Sequence, residues 1–455
     1  MNTTLIRLTT ALIPVKKLRK RLRKQLMARA RDARFAADLP KIRARYAEHE
    51  TACGAKLARG EKISVAFLVC DASMFSGESV YRQLKDDLRF SCTIAVAPRV
   101  TRGEAFLRET LAKTMKTLGA RYGEAVQSLY DPETREAKPL AADLVFSTIL
   151  YEDQTLPDYT TEKLSVRSLV AILYYGYGGL FISNEQKTPF LPNVVFAWRY
   201  FVSNEATRTM NAAKNPLLDN MVVAGYCKMD RIEVEKCKSE RAKSSAEGTG
   251  TCSRRKKVIL CPHHTIDKAA DGLALSTFLT HADLFLKLPE MFPEIDFVFR
   301  PHPLLFPRLA TAKWWGEAKT EAYRAKMASF ANVEFQQGGD YFASFADSDA
   351  MIHDCGSFLA EYFYTGHPQC YLLESEKTVA EQFLPFSRKL LDFAHKAFTG
   401  DEIVAFIREV VLKENDPDKA MRDAFAAKEV CINHPHATDA VVSAVVAAIA
   451  KDAVR

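Results

Sequence analysis

The stretch Ala350-Met351-Ile352-His353-Asp354-Cys355-Gly356-Ser357-Phe358-Leu359-Ala360-Glu361-Tyr362-Phe363, with its continuation to Leu373, decides the fold. Ala350-Met351-Ile352 is apolar and short, as a buried strand is. Asp354-Cys355-Gly356-Ser357 breaks the run. Phe358, Tyr362 and Phe363 then recur at helical spacing, Gly366 and Pro368 stop the helix, and Cys370-Tyr371-Leu372-Leu373 reads as the next strand. A strand–loop–helix–strand unit is the building block of a parallel sheet. Gly356 and Ser357 fall where strand gives way to helix, and there free N–H groups and the helix dipole favour an anion. Glu361 stands one turn into that helix, where a ribose diol can be held. Taken alone, Ser357 suits a plain N-cap and Gly356 a plain turn residue.

A second motif upstream changes that balance. Phe297-Val298-Phe299-Arg300-Pro301-His302-Pro303 is a buried-strand run that delivers an arginine and a histidine to its C-terminal end. Ligands of open α/β sheets bind at that edge. Arg300 offers a fork for phosphate oxygens, and His302 a titratable donor. The prolines end the strand and fix the loop.

Arg300-Pro301-His302-Pro303 followed by Asp354-Cys355-Gly356-Ser357 resembles the CDP-glycerol glycerophosphotransferase family, the teichoic-acid primases and polymerases. Val258-Ile259-Leu260-Cys261-Pro262-His263-His264 resembles the strand opening that family's second domain, and Val223-Ala224-Gly225-Tyr226-Cys227-Lys228-Met229-Asp230 the segment closing its first. The resemblance runs from Lys62 to Leu373. It implies a GT-B fold of two doubly wound Rossmann-like domains facing a cleft. It also implies a donor pyrophosphate held by Arg300, His302, His264, Asp354, Gly356 and Ser357, with the nucleotide ribose on Glu361. The family has a serine where Gly356 stands, and a histidine in a glycine-rich first-domain loop. The matching loop here, Tyr174-Tyr175-Gly176-Tyr177-Gly178-Gly179, has none. Tyr175, Gly176, Tyr177 and Gly178 are its expected acceptor-side residues.

The rest of the chain fits two α/β domains. Strand-like runs at Lys62–Cys70, Ser91–Pro98, Leu144–Leu150, Leu169–Tyr175 and Met221–Ala224 alternate with helical patterns, the longest at Arg102–Tyr122. The loop after the first strand, Asp71 to Glu78, is not GxGxxG, so the dinucleotide fingerprint is absent. The expected organisation is a helical arm over 1–60, a first α/β domain over 61–236 and a polar, basic linker over 237–257. A second α/β domain follows over 258–397, then helices over 398–455. In those helices Asp401 is expected to cap the segment to Leu412, and Thr438 or Asp439 the last.

At 455 residues, 48% hydrophobic and 26% charged, the composition is that of a globular protein with a large core. The ten cysteines include no CxxC pair. They read as reduced, buried thiols of a cytoplasmic protein. No apolar stretch approaches the length of a membrane span.

The net charge of +7 is unevenly distributed: residues 1–34 carry eleven Lys and Arg against one acid, Asp32, leaving the remainder slightly acidic. Val15, Leu18, Leu22 and Leu26 form a helical stripe among those basic residues. Such a helix suits an anionic membrane surface. Packing of the stripe on the protein is the alternative. Nucleic acid is a weaker third reading, because no aromatic residues interleave with the charges. Ala11-Leu12-Ile13 is too short for a signal peptide, and the charges follow it. The expectation is a cytoplasmic protein, peripheral on the inner membrane face.

The chemistry expected is transfer from a CDP-activated polyol phosphate to a glycan or lipid-linked acceptor. His302 and Arg300 stabilise the leaving phosphate. No metal and no cofactor are expected; the donor is a substrate. Asp71, Glu78, Glu152 and Asp153, each after a strand, are candidates for the acceptor base, with Asp71 and Glu152 foremost. Each of them equally suits a turn or cap. Two alternatives stay open: a GT-B glycosyltransferase using a nucleotide sugar, and a non-catalytic nucleotide- or partner-binding scaffold.

Overall fold

The computed structural model describes residues 3–247, 254–267 and 273–450. Its strands are β1 (Ile63–Val69), β2 (Phe90–Val96), β3 (Val126–Ser128), β4 (Tyr130–Asp131), β5 (Glu136–Ala137), β6 (Leu144–Ser147), β7 (Leu169–Leu173), β8 (Arg199–Val202) and β9 (Met221–Val223). Further on come β10 (Lys256–Cys261), β11 (Ile295–Phe299), β12 (Val333–Phe335), β13 (Ala350–His353), β14 (Gln369–Leu372) and β15 (His395–Ala397). Among the described residues they build a sheet ordered β3-β2-β1-β6-β7-β8-β9, a second ordered β12-β11-β10-β13-β14-β15, and the small hairpin β4-β5. Every pairing in the two large sheets is parallel. Their central strands are buried on both faces and are therefore apolar through most of their length, as Val65 to Val69 and Phe297 to Phe299 are.

Each sheet starts in its middle, runs outward, then returns to grow the other way. This doubly wound order places a crevice at the switch point, between β1 and β6 in the first sheet and between β10 and β13 in the second.

The first domain's core extends into the helix Lys16–Ala58, whose Phe35, Leu39, Ile42, Tyr46 and Cys53 are buried against it. Tyr46 donates to the Phe196 carbonyl (2.8 Å), and Trp198 Nε1 donates to Glu50 (2.6 Å). The arm therefore has two parts. From Phe35 onward it belongs to the domain. Before that, helix Thr3–Ala11 folds back on Lys16–Ala58, burying Ile6 and Thr10, with Arg23 Nε donating to the Thr10 hydroxyl at 2.8 Å. Leu22 and Leu26 are only half-buried, while Leu5, Leu8, Leu12, Val15 and Leu18 are exposed.

The segment expected as a linker over 237–257 is helical as far as Glu247, within Arg231–Glu247, and enters β10 at Lys256. Its Gly248-Thr249-Gly250 lies outside the described residues. The C-terminal helices divide between the two bodies. Gly400–Phe406, continuing to Leu412, packs on the second core. Its cap is Thr399 in a reciprocal box with Glu402, not Asp401. Ala437–Ile449 crosses back and packs on the first core. No local side chain caps it. The carboxylate of Asp230 does, accepting the Thr438 N–H and hydroxyl at 2.6 Å each. Where the outgoing and returning chains cross, Gly225 has φ +87°, and a Cβ there would lie 2.0 Å from the Ile432 carbonyl oxygen. Only glycine fits.

Candidate functional site

The loops leaving β10, β11 and β13 meet at the second sheet's switch point and are stitched together by backbone. Arg300 N–H donates to the Leu260 carbonyl and His302 N–H to that of Pro262, both at 2.9 Å. Asp354 ties the third loop in. Its fully buried carboxylate accepts the N–H of His263 (2.5 Å), and the N–H (2.6 Å) and hydroxyl (3.1 Å) of Thr277. Burial pushes its pKa up to about 6, against the pull of those donors. Asp354 thus orients the site from beneath and does not contact a donor as expected.

Three adjacent strand ends carry a histidine in the same local arrangement. The Nδ1 of His302 accepts the Leu304 N–H (3.1 Å), and that of His353 accepts the Cys355 N–H (3.3 Å). His263 Nδ1 faces the Thr265 hydroxyl at 2.9 Å, and that hydroxyl oxygen accepts the Leu275 N–H. An accepting Nδ1 leaves the neutral ring's proton on Nε2. In His353, which is fully buried, Nε2 is spent on Gln369 Oε1 at 2.8 Å. The rings of His263 and His302 meet that of His264, with centroids at 4.3 and 3.9 Å. Burial, then neighbouring His264 and Arg308, lowers the His302 pKa to about 3; burial and the same neighbours hold His263 well below its ordinary value. These rings are neutral N–H donors at pH 7.

One nitrogen from each of His263, His264 and His302 lies within 4.8 Å of the others, near enough for a metal ion. The donor set argues otherwise. A ligating histidine normally donates from its second nitrogen, whereas that of His302 accepts. Arg308, whose guanidinium donates to the His264 carbonyl (3.3 Å), adds positive charge. The arrangement suits an anion. Asp347-Ser348-Asp349, an Asp-x-Asp sequence, precedes β13 at the opposite sheet edge, with Asp347 paired to Lys257 and Asp349 to Arg254.

Other expected residues have different duties. The Arg300 fork is occupied by Gln336 Oε1 (2.8 Å) and the Gly339 carbonyl (2.5 Å), so it supplies charge below the loop and not a free fork. Gly356 and Ser357 are half-buried, and the Ser357 hydroxyl makes no capping bond. Glu361 is buried and accepts the Tyr341 hydroxyl, with the Tyr226 hydroxyl nearby at 3.5 Å. In this structure Tyr341 holds the carboxylate where a ribose hydroxyl is expected.

In the first domain, Glu152 accepts the Thr161 N–H and is drawn inward, where burial raises its pKa. In this structure it serves as a cap for the Thr161 N–H. Asp71 also caps, with Oδ1 taking the Ser73 N–H (2.9 Å) and hydroxyl (2.7 Å), but its Oδ2 faces Arg99 at 3.7 Å. The Tyr174–Gly179 loop forms the seam between domains. The Tyr175 carbonyl accepts the hydroxyl of Tyr226 (2.7 Å) and the amine of Lys228 (3.3 Å). Tyr177 is buried in the second core, donating to the Val430 carbonyl at 3.0 Å, so it cannot face an acceptor. Gly176 and Gly178 lie against the Tyr174 ring.

Two residues escaped the sequence reading. Arg99 follows β2 and Pro98, and the strand-end logic that picked Arg300 would have found it. Arg308 reaches the site from the short helix Leu305–Leu309, which no local pattern signals.

No protein-family model matches the sequence, and no curated protein matches it significantly. Solved structures do resemble it. The wall teichoic acid polymerase TagF superposes with a TM-score of 0.56 at 12% identity, covering 94% of this chain and 98% of that one. UDP-GlcNAc 2-epimerase from Neisseria meningitidis, bound to UDP-GlcNAc, gives 0.52 at 14% identity over 85% and 99%. The enzyme of the same name from Methanocaldococcus jannaschii gives 0.51 at 10% over 84% and 99%. At such identities the likeness establishes the fold: the chain has a GT-B architecture of two Rossmann-like domains.

Proposed function

We propose that the protein transfers a polyol-phosphate group from a CDP-activated donor to a glycan or lipid-linked acceptor, needing no metal or cofactor. The observation that carries this reading is the set of neutral Nε2–H donors, His263 and His302, beside the Gly356–Ser357 loop at the switch point. Donors fixed before the reaction stabilise charge as it develops. An acceptor hydroxyl oxygen attacks the β-phosphorus, the bond to the bridging oxygen breaks, and CMP departs with that bond's electrons. The histidines bind the departing phosphate, Arg300 and Arg308 offset its charge, and Asp354 holds the loops. Asp71 takes the acceptor proton. The arm's exposed leucines and basic residues support a peripheral position on the inner membrane face of the cytoplasm, where a lipid-linked acceptor lies. Among the described residues no helix is long and apolar enough to cross a membrane.

A second reading, sugar transfer from a nucleotide sugar, is favoured by Gly356 and by the absence of histidine from Tyr174–Gly179. Thermal shift with CDP-glycerol, CDP, UDP-GlcNAc and UDP, followed by product analysis with the stabilising donor, separates the two readings. Stabilisation by CDP-glycerol above the others, with CMP released, supports the first. Failure of every nucleotide diphosphate to raise the melting point overturns both.

A further inference from the structure

A cavity of about 220 Å³ lies between the domains, lined by Ile182, Ser183 and Gln186 from the first and Leu273, Glu381 and Gln382 from the second. It adjoins the switch point. Phe181, next to Ile182, packs on Gly356; Leu275, two residues beyond Leu273, touches the same glycine's surroundings; Phe383, next to Gln382, pairs with Phe181 at 5.1 Å between rings. The cavity and the phosphate-suited loop thus share the Phe181–Phe383 pair as a common border.

The lining is largely polar, with Gln186 and Glu381 exposed at the mouth and Gln382 buried within. Gln382 is 7% exposed, and its Oε1 has no hydrogen-bond partner; the Ser183 hydroxyl has none either. Burying a polar group without a partner is costly, so the two unpaired oxygens at this cavity suit a ligand that supplies the missing bonds.

We infer that this cavity receives the hydroxyl-bearing group carried by the activated donor, a polyol or a single sugar ring. The inference deepens the proposed function and rests on it. At about 30 Å³ per water the space holds roughly seven waters. That accommodates a small polyol or one ring but no nucleobase as well. Gln382 Oε1 accepts from a ligand hydroxyl, and Ser183 Oγ both donates and accepts.

The test compares carried group with bare nucleotide. Affinities of CDP-glycerol and UDP-GlcNAc are measured against CDP and UDP, by calorimetry, for the full-length wild type, Gln382→Leu and Ser183→Ala. The expected result is a loss of about 5- to 10-fold in the preference for the complete donor over the bare diphosphate, with diphosphate affinity unchanged. Gln382→Leu should keep its melting temperature, because the lost amide oxygen had no protein partner. A preference that survives both substitutions, or an equal loss for complete donor and bare nucleotide, overturns the inference while leaving nucleotide binding intact. Absence of any nucleotide binding by the wild type is the separate failure of the proposed function, and this assignment falls with it.

Discussion

Phe181 of the first domain lies against Gly356 of the second: a Cβ built on Gly356 would stand 3.1 Å from Phe181 Cε2. That is closer than ordinary van der Waals contact, and Phe181 is itself held by Phe383. The glycine that departs from the expected serine motif is therefore coupled to an aromatic residue from the opposite domain. Gly356→Ser should destabilise the protein by about 1–3 kcal/mol through overpacking. Phe181→Ala in the same chain should recover part of that loss. Denaturant titrations of both single variants and the double variant check this. Strict additivity of the two effects would mean that the residues do not interact.

His302→Gln tests the donor role and the buried imidazole together. Loss of a charge-stabilising donor is expected to cut transfer by about 100-fold or more, with the fold retained. The pH behaviour gives an independent signature. The His302 pKa falls to about 3 in the folded state, against about 6.5 when unfolded. Below pH 6.5 the unfolded chain therefore takes up a proton that the folded chain refuses. The stability contribution of neutral His302 is present above pH 6.5 and is lost as pH falls towards 3. Between pH 4 and 6 the wild type should lose stability more steeply than His302→Gln by about one proton, about 1.4 kcal/mol per pH unit. Asp354, whose raised pKa acts in the opposite sense, is common to both proteins and cancels. Parallel stability profiles would show that His302 titrates normally.

Much of this architecture is legible in the sequence because parallel strands buried on both faces are continuous apolar runs. Val258–Cys261, Phe297–Phe299 and Ala350–Ile352 announce themselves, and with them the edge where the site lies. The edge strands of the two large sheets that escape are Val126–Ser128, Val333–Phe335 and His395–Ala397. Each is a three-residue edge strand carrying a polar residue at its centre. Side-chain duty is harder to read than position. The motif places Arg300 and Asp354 at the site, but Gln336, Gly339, Thr277 and the His263 N–H, distant in sequence, decide where their polar atoms point.

Gly225→Ala should be among the most damaging single substitutions. The added methyl meets the Ile432 carbonyl oxygen at 2.0 Å, and the φ of +87° is itself unfavourable for alanine. A loss above about 3 kcal/mol is expected, with the cost falling on the crossing of chains between domains. Chemical denaturation monitored by tryptophan fluorescence reads it. A change below 1 kcal/mol would mean that the returning segment at Ile432 yields easily.

Asp71→Asn distinguishes a base from a cap. Asparagine retains the oxygen that accepts the Ser73 N–H, so the turn should survive and the melting temperature should change little. What disappears is the negative charge facing Arg99. If Asp71 takes the acceptor proton, turnover should fall by about 100-fold or more, with donor affinity unchanged. Unchanged turnover would reduce Asp71 to the cap it also is.

The arm offers a physical contrast that truncation can read. Leu12 is 84% exposed and Leu8 64%, whereas Phe35 is buried in the first domain's core. Removal of residues 1–34 therefore deletes the exposed apolar edge and most of the basic charge while sparing the buried part of the helix. Each Lys or Arg near an anionic surface contributes about 1 kcal/mol, so half of the eleven would suffice to hold the protein there. Full-length protein should sediment with vesicles containing anionic lipid, release as salt rises past about 0.1 M, where screening acts over about 10 Å, and ignore neutral vesicles. The chain starting at Phe35 should stay in the supernatant throughout. Replacement of Leu8 and Leu12 by serine should weaken binding without altering its salt dependence, because it removes the apolar contact and leaves the charges. Equal sedimentation of the full-length and shortened chains would mean that the hairpin of Thr3–Ala11 on Lys16–Ala58 serves the fold alone.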